Sequence, residues 1–179
     1  NQASWVTVPI VRRSGYWLNN QIEISDFRWQ KKLVSTIQAN YAKAPFFDNY
    51  SELIEDSIVY PETNLVKYNF RSIEKICQLL DISTDKMVVS SGLNIKTQGT
   101  QRLIDITRCL DCNTYLEGGG AAGYQDDSLF MENGIFLDKQ EFLHPSYGQK
   151  KGADFLAGLS VIDALFYCGA DSVKGFIDV

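Results

Sequence analysis

Three consecutive glycines, Gly118-Gly119-Gly120, follow directly on the run Asn113-Thr114-Tyr115-Leu116-Glu117, and this junction constrains the fold more than any other feature of the chain. The run reads as a strand, and glycine lets a backbone turn tightly or approach a ligand closely. The pattern alternates on both sides of it. Residues 86–91 form an apolar run ending in Ser90-Ser91, and residues 100–109 have helical spacing with Leu103, Ile104, Ile106 and Thr107 inward. Residues 126–132 read as a short helix closed by Asn133-Gly134, and residues 135–138 with part of 140–143 as another strand. Strand, helix, strand, helix, strand argues for a parallel sheet covered by helices. Ligands of such sheets bind beyond the carboxyl ends of the strands. Ser90-Ser91-Gly92, the glycine cluster and the loop beginning at His144 all leave strands, and neighbouring strands would bring them to one edge.

The flanking segments are different. Residues 4–11 alternate and are rich in β-branched side chains, residues 14–20 read as a turn, and residues 21–24 as a short returning strand. Ser25 or Asp26 can cap a helix whose stripe is Trp29, Leu33, Thr36 or Ile37, and Tyr41, broken by Pro45. A second helix is expected over residues 46–55, and a third opening at Pro61-Glu62 with Leu65, Tyr68 or Asn69, Ile73, Ile76 and Leu80 on its stripe. Residues 154–159 read as a loop, Ser160 as the cap of a helix through Tyr167 stopped by Gly169, and residues 170–177 as a last helix. The expected class is α/β, a mostly parallel sheet with helices on both faces, plus an N-terminal β-hairpin and a helical insertion. It is read as a single domain over residues 1–179. The chain opens on Asn1 and enters a strand-like run almost at once, so a preceding N-terminal segment is expected.

Composition narrows the partners. The net charge is −5, and the compact basic groups are only the pairs Arg12-Arg13, Lys31-Lys32 and Lys150-Lys151. Nucleic-acid binding needs many phosphate contacts, so it is not expected. No apolar run approaches the about 20 residues of a membrane-spanning helix. Four cysteines in 179 residues do not make a disulfide framework, and a reducing cytoplasm fits better. Cys109-x-x-Cys112 has metal or redox spacing but lacks a second pair of ligands, and reads as two small residues at a helix end. No metal site is assigned, and no cofactor.

His144 is the only histidine, and imidazole titrates near neutrality unaided. Pro145 stiffens the backbone behind it, and Tyr147 and Gln149 can offer hydrogen bonds to a polar substrate. His144 is therefore a candidate general base, with a structural histidine bonded to a carbonyl as the plain alternative. Asp163 lies in the apolar run Val161-Ile162-Asp163-Ala164-Leu165. A carboxylate buried there needs a partner, for which Arg102, Lys96 and His144 are candidates. An aspartate paired to His144 would orient the ring; an acidic residue in a first helical turn also simply complements the dipole. Gly118, Gly119 and Gly120, with Tyr124 following, can cradle a phosphate or carboxylate, or merely make a tight turn. Lys96 and Arg102 suit an anionic group or a solvated face.

Several pieces recur together: Trp5-Val6-Thr7-Val8-Pro9, Ala44-Pro45-Phe46-Phe47, Tyr115-Leu116-Glu117-Gly118-Gly119-Gly120-Ala121 with Tyr124, His144-Pro145 with Tyr147 and Gln149, and Leu159-Ser160-Val161-Ile162-Asp163. In this order and spacing they resemble the WbqC-like family of bacterial proteins over nearly the whole chain. The resemblance implies a cytoplasmic protein of surface-polysaccharide (O-antigen) biosynthesis, with an aminoacyl, notably glycyl, transferase role. Family members begin with a strand ending in a His-Gln-Pro-type motif, which this chain lacks. Three functions follow as expectations. The first is transfer of an acyl or aminoacyl group to an amino sugar, with a small-molecule substrate such as a nucleotide sugar. His144 and Asp163 would be catalytic, and Gly118, Gly119, Gly120, Tyr124, Lys96, Arg102, Tyr147 and Gln149 would bind substrate. The second is another nucleotide-handling α/β transferase. The third is a non-catalytic partner in a glycan-assembly complex, using the Trp17-Leu18 loop and the Phe46-Phe47-Tyr50 region as contacts.

Overall fold

A computed structural model of the protein describes residues 3–15, 17–118, 125–150, 152 and 154–177. Among them are helices α1 (Arg28–Tyr41), α2 (Phe47–Ile58), α3 (Leu65–Leu79) and α4 (Gly99–Cys109), strand β1 (Thr114–Glu117), helix α5 (Asp127–Glu132), strand β2 (Phe136–Lys139), and helices α6 (Val161–Cys168) and α7 (Ala170–Ile177). The chain divides into two units. One comprises Asn1–Asp85 and His144–Val179, the other Lys86–Leu143.

The first unit is helical. Its N-terminal stretch runs antiparallel to residues 22–25 through the bridge Ile10–Ile24, and residues 22–25 in turn meet the start of α3 through Glu23–Asn64. The expected hairpin is thus present as isolated bridges rather than as regular strands. Asp26 accepts from the Arg28 amide at 2.9 Å and so occupies a free donor of α1. Helix α3 starts later than Pro61-Glu62 suggests, because the Asn64 side chain accepts from the amides of Val66 and Lys67. The core centres on α6, where Leu165 and Phe166 are fully buried against Ile54 and Ile58 of α2, with Trp29, Leu33, Ile37 and Tyr41 of α1 packed around them. This is the α1 stripe read from the sequence, with Ile37 rather than Thr36 turned inward. Phe46, Phe47 and Tyr50, expected as an outward contact patch, are used internally. Phe47 packs against Phe166 with centroids 5.2 Å apart, and the Tyr50 hydroxyl accepts from the Ala170 amide at 2.9 Å. Burial of these rings is worth more than their exposure.

Lys86–Leu143 forms a βαβ unit. Strands β1 and β2 are parallel, with Thr114 opposite Phe136 and Glu117 opposite Lys139. Ile104 of α4, Phe130 of α5 and Ile135 make a small core against Tyr115 and Leu137, which share one sheet face. The alternate residues Leu116 and Phe136 are 58% and 70% exposed. Among the described residues, therefore, the expected mostly parallel sheet with helices on both faces is a two-stranded parallel sheet with α4 and α5 on one face. Residues 86–89 form no strand; the Gly92 amide closes onto the Val89 carbonyl and starts a 3-10 turn over Ser90–Leu93. Residues 141–143 are likewise not in a strand, although the Gln140 amide adds one bond to the ladder at the Glu117 carbonyl. A strand needs a partner for its backbone groups, and an apolar run alone does not supply one.

Candidate functional site

Ser160 caps α6 by accepting from the Ile162 amide, which places Asp163 in the first turn facing the core. Asp163 is 4% exposed. Oδ1 accepts from the Tyr41 hydroxyl at 2.9 Å; Oδ2 accepts from the Tyr147 hydroxyl and from Gln149 Nε2, both at 2.9 Å. Sequence reasoning offered Arg102, Lys96 or His144 as partner; two phenols and an amide hold the carboxylate here. Neutral donors suffice because a carboxylate accepts strong charge-assisted bonds from them. Burial, followed by the bond to Asp163, raises the Tyr147 pKa to about 12 and raises that of Tyr41 further. Both phenols therefore stay protonated, and remain donors, at neutral pH. Burial first and Asp163 second also raise the Cys168 thiol.

The same carboxylate organises the loop that carries His144. Gln149 donates to the Leu156 carbonyl at 3.0 Å and accepts from the Leu156 amide at 2.8 Å, pinning the returning arm of the loop to its outgoing arm. The Tyr147 ring meets Phe155 edge-on at 5.4 Å and stacks on Phe176 of α7 at 6.0 Å. Gly158, at φ +71°, lies beside the imidazole, where an added Cβ would sit 3.9 Å from Nε2. His144 itself is exposed. Tyr147 and Gln149, expected to face substrate, turn their polar atoms inward onto Asp163, since a buried carboxylate demands donors. With both oxygens engaged, Asp163 can orient its neighbours but is poorly placed to exchange protons with a substrate, whereas an exposed imidazole can do so.

Gly118, Lys96 and Arg102 belong to Lys86–Leu143. A Cβ at Gly118 would meet nothing within 4 Å. Arg102 donates to the Ile95 carbonyl at 3.3 Å, fixing the loop before α4, and Lys96 is exposed. At the carboxyl ends of the strands, buried Glu117 accepts from Gln125 Nε2 at 2.9 Å and lies 3.9 Å from Lys139 Nζ. Gly119, Gly120 and Tyr124 lie outside the described residues. Cys109 and Cys112 are exposed free thiols at the end of α4. Among the described residues, no three His, Cys, Asp or Glu side chains are grouped to hold a metal ion, and no helix is long and apolar enough to cross a membrane.

Tyr41 is the site residue that sequence reasoning missed. It ended an apolar helical stripe and read as core, which its ring is: the centroid lies 5.2 Å from that of Phe166. Only its position at the end of the stripe, one ring beyond the last aliphatic residue, hinted at a polar use. No curated protein and no solved structure matches the chain. The model of the WbqC-like protein family matches residues 1–175, so this chain belongs to the WbqC-like family.

Proposed function

We propose that the protein is a transferase of surface-polysaccharide biosynthesis that moves an acyl or aminoacyl group, a glycyl group in the simplest case, to an amino sugar. Membership of the WbqC-like family supports the biosynthetic setting. The observation that carries the chemistry is the loop from His144, closed onto buried Asp163 by Tyr147 and Gln149 so that the sole imidazole stands exposed beside Gly158. In the proposed reaction the acceptor amine nitrogen forms the new C–N bond. The bond from the acyl carbon to its activating group breaks, and its electron pair leaves with that group. His144 takes the proton lost by nitrogen. Asp163 serves the ring indirectly, through the loop. Within Lys86–Leu143, Lys96 and Arg102 offer cationic contacts for an anionic group.

The test is a thermal-shift panel of nucleotide-linked amino sugars, followed by product analysis with an activated glycyl donor. A ligand that binds only the folded state raises the melting temperature. Selective stabilisation by one nucleotide sugar, with transfer abolished and the shift retained in His144→Gln, supports the reading. Wild-type turnover by His144→Gln removes His144 as the base, and no shift with any nucleotide sugar removes the acceptor class.

A second reading is favoured by one observation. Trp5 is 99% exposed, and Trp17 and Leu18 at the hairpin tip are exposed with it, as suits a protein-contact surface. A non-catalytic partner of glycan assembly would co-purify with its complex and leave the polysaccharide unchanged in His144→Gln cells.

A further inference from the structure

We propose that Tyr41 is a positioning residue for His144, acting through Asp163; the inference rests on His144 being the base. The imidazole belongs to one arm of this loop and lies beside Gly158 of the other. The outgoing arm carries Tyr147, three residues after His144, and the returning arm carries Leu156, two residues before Gly158. Both are tied to one carboxylate oxygen, because Oδ2 of Asp163 accepts from Tyr147 and from Gln149, and Gln149 holds both backbone groups of Leu156. The remaining freedom of that carboxylate is rotation about its Cβ–Cγ bond. The Tyr41 hydroxyl, on the opposite oxygen, sets that rotation. Tyr41 is suited to this. Its ring is wedged between Phe166, at 5.2 Å, and Tyr167, at 6.0 Å, and its raised pKa keeps the hydroxyl a donor. The Tyr41 bond ends on Asp163, and that carboxylate relays it to the loop. The bond spans 122 residues of sequence, from the end of α1 to the first turn of α6.

Because the chain holds one histidine, its imidazole gives one unambiguous Cε1–Hε1 correlation in an NMR spectrum. That signal is recorded at fixed pH in the full chain for Tyr41→Phe, which keeps the ring packing and removes only the donor. Tyr50→Phe is the control, since it removes a hydroxyl of the same unit that serves the Ala170 amide instead. The expected result is a His144 shift greater than its linewidth in Tyr41→Phe and none in Tyr50→Phe. Should Tyr41→Phe not fold, Asp163→Asn is recorded in its place, with the same shift expected. An unmoved signal in the folded variant, or an equal movement in Tyr50→Phe, overturns the proposal. The readout needs no substrate. A positive result with wild-type turnover by His144→Gln would leave the positioning intact and refute only the base assignment.

Discussion

Gly169 joins α6 to α7, and replacing it by alanine tests the packing that holds Asp163 in place. Its backbone sits at φ +79°, ψ 165°, a region that residues with a Cβ hardly occupy. An alanine Cβ would also lie 3.1 Å from Phe46 Cε1 and 3.3 Å from two further atoms of that ring. The ring has little room to yield, because the Phe46 amide donates to the Phe166 carbonyl at 3.0 Å and the ring lies beside Tyr50. The backbone strain costs about 1–3 kcal/mol. Crowding a packed ring costs about another 1–3 kcal/mol. At about 4 kcal/mol in total, and about 2–4 °C per kcal/mol for a chain of this size, the melting temperature should fall by about 8–16 °C. Gly175 provides the matched contrast, since it lies exposed within α7 and an added Cβ there meets nothing within 4 Å. Gly175→Ala should raise stability by about 0.5–1 kcal/mol through helix propensity. Differential scanning calorimetry of both variants is the assay. A Gly169→Ala variant melting within about 2 °C of wild type would refute the strain reasoning.

Other outcomes follow from the same geometry. The Tyr147 pKa, raised to about 12, means that the folded state favours the protonated phenol; this stability is full below the ordinary tyrosine value of about 10 and is lost as pH rises toward about 12. Alkaline unfolding followed by circular dichroism should therefore be shallower over that window in Tyr147→Phe, and an unchanged slope would count against the buried phenol. Asp163→Ala leaves two tyrosine hydroxyls without their acceptor, at about 1–3 kcal/mol each, whereas Asp163→Asn retains an acceptor oxygen and should cost less. Urea midpoints should rank wild type above Asn above Ala. Phe130 is fully buried and stacks on Tyr115 at 5.2 Å, so Phe130→Ala should cost about 3–5 kcal/mol, read as lost amide protection in β1 and β2.

The helices were legible because their signals are local. The stripe of Trp29, Leu33, Ile37 and Tyr41, the cap at Ser160, and the stops at Gly134 and Gly169 act within a few residues of where they stand. The sheet was less legible. Thr114–Glu117 and Phe136–Lys139 pair, while residues 86–89, just as apolar, do not. Alternation and β-branching state that a segment suits a strand, but the ladder is completed by a distant segment that no local pattern identifies. The exposed Leu116 and Phe136 show the cost of that ignorance, because the expectation of helices on both faces assumed that every apolar strand residue would be covered.

Asp163 separates the two kinds of knowledge most sharply. An aspartate between Ile162 and Ala164 on a buried face had to have partners, since an unpaired carboxylate in such a place is too costly to keep. That much is elementary electrostatics, and it points first to a cation. The protein meets the requirement with hydroxyls and an amide, which cost less to bury than a guanidinium and which keep their protons at neutral pH. The choice has a functional consequence. A cationic partner would have made Asp163 half of an isolated ion pair; three neutral donors from α1 and the His144 loop make it a junction. Its charge then fixes the geometry of a loop rather than the protonation of a single neighbour. Under the proposed function the carboxylate serves the imidazole through Tyr147 and Gln149, the residues that a reading for substrate contacts turns outward.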